Sequence, residues 1–212
     1  MYPSLPQQIT VRGELPLALS MHRSQFHPWH DIAPGPSVPD ILTAVIEIPR
    51  HSRNKYELDK DTGMFRLDRV LHSAVHYPGD YGFIPQTLGD DGDPLDIVLM
   101  MTAPVFPGCL VEVRPVGIFH LADRGDDDEK IIAVPTRDPF TDEIRDIKDI
   151  RSHALLELEH FFQVYKDLEN VRVETRGFDN AAAAKKVIVE AVANYQRKFS
   201  ARKRASRGSR TR

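Results

Sequence analysis

Four aspartates fall within seven residues immediately before an apolar run, and this segment constrains the chain more than any other. Residues 89–96 have the sequence GDDGDPLD and lead directly into the apolar residues 97–101. Gly92 and Pro94 favour a tight turn, so the carboxylates cannot spread apart as they could along a helix. Like charges about 4 Å apart repel by roughly 1 kcal/mol in water, and by more when desolvated. The segment therefore predicts a bound cation such as Mg²⁺, which accepts carboxylate, water and phosphate oxygens.

Two other interpretations of this segment stay open on the residues alone. An acidic turn can simply be solvated, because surface loops carry acids routinely. An EF-hand calcium loop is a poor match: Leu95 stands where a ligand is expected, Asp96 replaces the turn glycine, and Thr102 replaces the closing glutamate.

A second acidic run, DRGDDDEK at residues 123–130, follows a predicted strand that ends near His120. By itself such a run is typical of a solvated loop. Two acidic loops at the ends of barrel strands, however, favour one shared site with several metal ions.

The charge is unevenly distributed along the chain. There are 28 Lys and Arg against 31 Asp and Glu, and eight of the basic residues lie in residues 197–212, which contain no acid. Residues 1–196 thus have 20 basic and 31 acidic residues, a formal charge of −11. A general nucleic-acid binder usually has the opposite sign. The single cysteine, Cys109, excludes an internal disulfide and a multi-cysteine zinc site.

The chain is expected to have three parts. Residues 1–40 hold seven of the 16 prolines and predict an extended N-terminal arm, pinned to the body by the aromatic cluster 26–30. A remnant of a transit peptide is the competing interpretation, and the acids in this segment weigh against it. Residues 41–196 form the folded domain, and the basic residues 197–212 are expected to be a disordered tail.

The fold class expected for the folded domain is α+β. Short strands without long helices between them predict a small, mostly antiparallel barrel or a sandwich. Helical spacing of apolar residues then predicts two helices, at 153–166 and 179–199, with a possible strand at 171–175 between them. The predicted strands are 43–48, 64–70, 96–101, 110–120 and 131–134.

Cations and tyrosines near these strands suggest what the metal would serve. Lysine supplies a point charge, arginine a forked donor and tyrosine a phenolic donor, which together form the set that a phosphate site needs. Each is also an ordinary surface or packing residue when taken alone. The members of the set are Lys55, Arg69, Tyr77, Tyr81, Tyr165 and Lys166.

Together these residues resemble the soluble family I inorganic pyrophosphatases. The string DGDPLD at 91–96 is similar to the family signature, and the likeness covers about residues 41–196. The arm motif HPWHD at 27–31 is similar to the plant and algal branch. Further matching motifs are VIEIP at 45–49, KYE at 55–57, YPGDYG at 77–82, RPVG at 114–117, IKD at 147–149, and HFF and YKDLE in 160–169.

The resemblance implies a five-stranded OB-like barrel with flanking helices, and Mg²⁺-dependent hydrolysis of pyrophosphate to two phosphates without a covalent intermediate. Several Mg²⁺ ions per site are implied, three to four with substrate. Arg124 departs from the glutamate of bacterial relatives, which puts an outer metal contact in doubt. By position, Asp91, Asp96, Asp123 and Asp128 match metal ligands; Asp93 matches the catalytic proton acceptor; Lys55, Arg69, Tyr81, Lys130, Tyr165 and Lys166 match phosphate contacts; Glu47, Glu57, Tyr77 and Asp127 match supporting residues.

Rival functions are a metal-dependent phosphoesterase acting on another phosphate, a nucleic-acid-binding OB barrel, and an inactive scaffold related to the enzyme. The phosphoesterase needs a pocket for a base or sugar, and the nucleic-acid binder needs stacking aromatics on its strands. We expect pyrophosphate as the partner, with no membrane, no nucleic acid and possibly a homo-oligomer. The expected compartment is the cytoplasm, with an organelle such as a plastid as the alternative.

Overall fold

The computed structural model describes residues 26–123 and 125–208. The described residues form nine strands, three α-helices and three single 3-10 turns. The strands are β1 Leu42–Ile48, β2 Asn54–Leu58, β3 Phe65–Val70, β4 Asp80–Phe83, β5 Asp96–Leu99, β6 Leu110–Asp123, β7 Asp126–Asp127, β8 Lys130–Pro135 and β9 Val173–Asn180. The helices are α1 Pro28–Asp31, α2 Ser152–Val164 and α3 Ala181–Gly208; the 3-10 turns are Pro139–Thr141, Ile147–Asp149 and Asp167–Glu169.

Five strands close into a ring in the order β1-β4-β5-β8-β6, and β6 returns to pair with β1. The predicted five-stranded, OB-like barrel is confirmed, and the sandwich is excluded because the ring is closed. Within the ring only the β5–β8 pair is parallel, with Asp96 opposite Lys130 in its register. This pairing brings the end of the first acidic segment beside the start of β8.

Apolar side chains of the barrel are buried on both faces of its strands. On β5, Ile97 and Leu99 belong to a cluster with α3, whereas Val98 belongs to a cluster with α2. Strands covered on both faces lack a polar face, so their sequences are continuously apolar instead of alternating. This explains why 97–101 was apolar without a break.

The predicted elements are largely where the sequence placed them. The five expected strands correspond to β1, β3, β5, β6 and β8, and the helix expected at 153–166 is α2. The return strand, expected at 171–175, is β9 and lies slightly later. Asn180 caps α3, since its Oδ1 accepts a hydrogen bond from the Ala183 N–H at 3.0 Å.

Three short strands, β2, β4 and β7, were not predicted, and the first two help to build the site. β2 has the polar sequence NKYEL and forms a separate two-stranded sheet with β3. β4 has only four residues, DYGF, one of which is a glycine. Neither segment carries enough apolar periodicity to mark it as a strand.

The N-terminal arm is held on the body by its aromatic residues, as expected. Trp29 is only 4% exposed and packs against Tyr195 and Phe199 of α3. Residues 1–25 of the arm lie outside the described residues. The tail was expected from residue 197 on; residues 197–208 have helical backbone in α3, and residues 209–212 lie outside the described part. Among the described residues, no helix is both long enough and apolar enough to cross a membrane.

Candidate active site

A cavity of about 200 Å³ opens at one end of the barrel, between the β2–β3 sheet and the loop that joins β4 to β5. Carboxylate, lysine and tyrosine side chains line it, together with Trp29, Leu58, Phe83 and Pro94. Its walls therefore combine the two charge types that a metal-and-phosphate site requires. Seven predicted site residues line it: Glu47, Lys55, Glu57, Tyr81, Asp91, Asp93 and Asp96.

The loop before β5 is folded tightly by its own hydrogen bonds. The backbone N–H of Asp93 donates to Asp91 Oδ1 at 2.9 Å, and the N–H of Gly89 donates to the Asp93 carbonyl at 2.8 Å. Gly92 has φ +91°, a left-handed conformation that glycine adopts without steric penalty. The turn keeps Asp91 and Asp93 together at the cavity wall, as the sequence predicted.

Lys130 is a buried cation that pairs with two carboxylates of the site. Its side chain is only 3% exposed, and its Nζ lies 2.6 Å from Asp96 Oδ2 and also donates to Asp128. Burial alone would lower the pKa of this ammonium, but the carboxylates of Asp96 and Asp128 outweigh burial and raise it. Tyr81 donates its hydroxyl to the same Asp96 oxygen. Four predicted residues from three strands and a loop thus meet at one point.

Asp123, at the end of β6, pairs with a lysine that follows α2. The Lys166 ammonium lies 2.5 Å from Asp123 Oδ2, and it also lies 5.2 Å from the centre of the Tyr165 ring. Asp123 Oδ1 is buried and has no hydrogen-bond partner among the described residues. A buried carboxylate oxygen without a donor is unusual, and it is the kind of atom that a metal ion satisfies.

The β2–β3 sheet presents the cations of the opposite wall. Lys55 pairs with Glu57 and lies 3.4 Å from Asp68, while the Nε of Arg69 donates to Glu169 at 3.0 Å. Arg69 also pairs with Asp68. The antiparallel register sets Lys55 opposite Arg69, so the two predicted phosphate contacts stand next to each other.

Burial perturbs the titration of several groups here. Desolvation, followed by the charge of Asp96, raises the pKa of Glu47 to about 8, although the Leu58 N–H donates to it at 2.8 Å. Desolvation also raises the pKa of the tyrosine hydroxyls at 77, 81 and 165. These phenols therefore stay protonated near neutral pH and remain hydrogen-bond donors.

Asp127 is not among the residues that line the 200 Å³ cavity. The Asp127 side chain is 76% exposed and pairs with Arg176 at 2.5 Å. It lines an adjoining cavity of about 230 Å³, whose wall also includes Asp91, Asp96 and Asp128. Arg124 lies outside the described residues, so its effect on an outer metal contact stays a prediction.

Sequence reasoning missed several residues that contact or line the site, among them two acids, a tryptophan and a lysine. Asp68 and Glu169 are the partners of the predicted cations, and Trp29 and Lys60 line the cavity. Asp68 could have been found from its position one residue before Arg69. Glu169 is 100 residues from Arg69, and only the folded arrangement brings the two together.

Carboxylates in the site are neutralised in this arrangement by lysines. In the part of the chain that the structure describes, no three side chains of the metal-binding types converge on a common point. Instead, the ammonium groups of Lys60, Lys130 and Lys166 bond to Asp93, Asp96, Asp123 and Asp128. Each of these four acids therefore has a lysine as its counter-charge.

Comparison with known proteins gives a consistent result. The profile of a family described as inorganic pyrophosphatase matches residues 44–196. The sequence is 45% identical, over 177 residues, to soluble inorganic pyrophosphatase 2 of the alga Chlamydomonas reinhardtii, a match that covers 84% of this chain and 92% of the relative. It is 48% identical over 173 residues to an inorganic pyrophosphatase of Haloferax volcanii, covering 81% and 98% of the two chains.

Comparison with solved structures also finds inorganic pyrophosphatases. The crystal structure of an inorganic pyrophosphatase from Thermus thermophilus superposes with a TM-score of 0.76 at 43% sequence identity. The superposition covers 78% of this chain and 97% of that one. Nearly all of the bacterial protein is therefore represented in the barrel and its helices.

Proposed function

Because the chain belongs to the inorganic pyrophosphatase family, we propose that the cavity at the end of its barrel is where it hydrolyses inorganic pyrophosphate to two orthophosphates. One observation carries the assignment of the site. The buried Lys130 holds Asp96 and Asp128 together beside a tyrosine donor, at the opening that the DGDPLD turn lines.

Members of the family are metalloenzymes, and the donor set fits Mg²⁺. All of the proposed ligands, Asp91, Asp96, Asp123 and Asp128, are carboxylates, which suit a hard divalent ion. Mg²⁺ is commonly held by one or two carboxylates together with waters and substrate phosphates, so a preformed protein cage is not required. The unpartnered Oδ1 of Asp123 supports a ligand role for that residue.

Pyrophosphate carries several negative charges near neutral pH, and an attacking anion would be repelled. Bound divalent ions supply two effects: they withdraw charge from phosphate oxygens and lower the pKa of a coordinated water. Asp93, on the same turn as Asp91, would accept the proton of the attacking water. Its exposed position on the loop, half accessible to solvent, leaves room for that water.

Cationic and phenolic groups would act on the phosphates. Lys55 and Arg69 stand side by side on the β2–β3 sheet and would bind the phosphate oxygens. Tyr165 and Lys166, at the end of α2, would stabilise charge that develops on the departing phosphate. Raised pKa values keep the phenols of Tyr81 and Tyr165 protonated, so they can donate to phosphate.

The rival functions gain no support from the cavity. A nucleotide or sugar phosphate needs an apolar platform for its organic part, but Trp29 and Phe83 are only 4% and 1% exposed. The same burial removes the stacking surface that a single-stranded nucleic acid would use. The number of Mg²⁺ ions, the oligomeric state and a cytoplasmic location stay predictions from the sequence.

Phosphate release from pyrophosphate tests the proposal. We expect the purified protein to release two phosphates per pyrophosphate in millimolar Mg²⁺, and to lose this activity in excess EDTA. Ca²⁺ should support little activity, because its looser coordination activates water poorly. Organic phosphate esters provide the comparison substrates. Failure to release phosphate from pyrophosphate, or equal rates on the esters, would exclude the assignment.

A further inference from the structure

Lys60 lies between the proposed proton acceptor and the only tryptophan of the chain. Its ammonium bonds to Asp93 Oδ1, and it also lies 6.0 Å from the centre of the Trp29 ring, within reach of a cation–π interaction. Lys60 and Trp29 both line the cavity. Neither residue is among the site residues that the family resemblance implied.

The N-terminal arm fixes the backbone on both sides of this contact. His27 Nδ1 accepts from the Trp29 N–H at 3.2 Å, so its Nε2 carries the proton and donates to the Lys60 carbonyl at 2.9 Å. The indole N–H of Trp29 donates to the Thr87 carbonyl at 2.8 Å. Thr87 in turn accepts the Leu95 N–H at 2.8 Å and so closes the base of the acidic loop.

The arm therefore connects the turn that carries Lys60 with the loop that carries Asp93. The family profile begins at residue 44, so Trp29 and His27 lie outside it, whereas Lys60 and Asp93 lie inside. An element outside the profile thus supports a side chain at the centre of the proposed site.

We infer that Lys60 is a positioning residue for Asp93, and that the arm holds Lys60 in place through Trp29 and His27. This inference rests on the proposed function. Lys60 donates its hydrogen bond to the Oδ1 atom of the Asp93 carboxylate. Oδ2 is left to accept the proton from water, and the bond to Lys60 limits rotation of the carboxylate. A fixed orientation of the acceptor raises the rate of proton transfer without changing substrate binding.

Steady-state kinetics separate positioning from binding. We expect Lys60→Met to lower kcat about tenfold while KM for pyrophosphate changes less than about twofold. Trp29→Leu should lower kcat about threefold, and the double variant should match Lys60→Met alone, because Trp29 acts through Lys60. If the leucine variant fails to fold, Trp29→Phe replaces it: phenylalanine keeps the aromatic packing but lacks the indole N–H that donates to the Thr87 carbonyl. Lys186→Met is the control, since Lys186 is an exposed lysine of α3 that does not line the cavity.

Fluorescence gives a readout that does not require turnover. Trp29 is the only tryptophan, so its emission reports the arm alone. A divalent ion entering beside Asp93 repels the Lys60 ammonium, and we expect a saturable change in emission when Mg²⁺ alone is added to metal-free protein. Lys60→Met should lose most of this change, and Lys186→Met should keep it.

Any one of three results would overturn the inference. The first is a wild-type kcat in Lys60→Met, and the second is effects of Trp29→Leu and Lys60→Met that multiply in the double variant. The third is a fluorescence response to Mg²⁺ that is identical in wild type and Lys60→Met. If the wild-type protein releases no phosphate from pyrophosphate, the proposed function fails instead, and the fluorescence comparison still tests the contact between Lys60 and Trp29.

Discussion

Asp96 of β5 stands opposite Lys130 of β8 in the one parallel pair of the barrel, with 2.6 Å between the Asp96 Oδ2 and Lys130 Nζ atoms. The strand register itself therefore places a cation against the carboxylate proposed as a central metal ligand. Lys130 also bonds to Asp128 and is almost completely buried. Without a metal ion, this lysine is what permits two acids to lie close together inside the site.

Lys130→Met should destabilise the metal-free protein by about 3 kcal/mol, because it leaves two partly buried carboxylates without a counter-charge. Saturating Mg²⁺ should reduce the loss, since the ion neutralises the same acids. Urea denaturation with and without Mg²⁺ measures both values. Lys185→Met, which removes an exposed pair, should change the free energy of unfolding by less than about 1 kcal/mol. An equal loss for Lys130→Met in both conditions would argue against a metal at Asp96 and Asp128.

Asp93→Asn should reduce phosphate release from pyrophosphate about a thousandfold, because an amide cannot accept the proton of the attacking water. Stability should be nearly unchanged, since the Asp93 side chain is half exposed. Asp90→Asn is the matched control: it makes the same change on the same loop, in an exposed residue that is not among the proposed site residues. A rate near wild type for Asp93→Asn would remove this residue from the mechanism.

Glu47 should make the stability of the metal-free protein depend on pH. Its pKa is raised from 4.5 to about 8, so the folded state keeps a proton that the unfolded state releases between these values. The free energy of unfolding therefore falls as pH rises through this window, by at most about 1.4 kcal/mol per pH unit from this group. The contribution is complete below about pH 4.5 and is lost above about pH 8.

Glu47→Gln isolates this effect, because glutamine can still accept the Leu58 N–H but does not ionise. Urea denaturation in EDTA at several pH values should show the variant gaining stability over wild type as pH rises from about 5 to about 8. Parallel pH profiles for the two proteins would mean that Glu47 ionises normally.

Gly82→Ala should destabilise the barrel by about 3 kcal/mol or more. A β-carbon at residue 82 would lie 2.0 Å from the Val45 carbonyl oxygen and 2.9 Å from the Ile46 α-carbon, both backbone atoms of the paired strand β1. Gly177→Ala is the contrast: its φ is +85° but nothing lies within 4 Å, so only the backbone penalty of about 1 kcal/mol applies. Similar melting temperatures for the two variants would contradict this account of β1–β4 packing.

The sequence predicted the acids of the site better than their partners. Asp91, Asp93 and Asp96 stood out because the glycine and proline between them predict a tight turn. The loop does fold into a tight turn, closed by the hydrogen bond from the Asp93 N–H to Asp91 Oδ1. The cation that balances each acid depends on strand register and helix placement, which local patterns do not contain. Lys166 reaches Asp123 across 43 residues, and Arg69 reaches Glu169 across 100.

The same distinction holds for the fold. Long apolar strands and the helix α2 have periodicity that marks them, whereas β2 and β4 are short and polar or glycine-containing. Ring closure depends on β6, whose 14 residues pair with β1, β8 and β9 in turn. Pairing of one strand with several neighbours follows from tertiary packing and is not encoded by a local pattern.

Crystals grown with Mn²⁺ in place of Mg²⁺ and soaked with phosphate would show whether the four aspartates hold the metal, because anomalous scattering locates it. We expect peaks about 2.1–2.2 Å from oxygens of Asp91, Asp96, Asp123 and Asp128, with phosphate between them and Lys55 and Arg69. Anomalous maps with no peak at these aspartates, and with Lys130 and Lys166 still paired to them beside bound phosphate, would contradict this expectation.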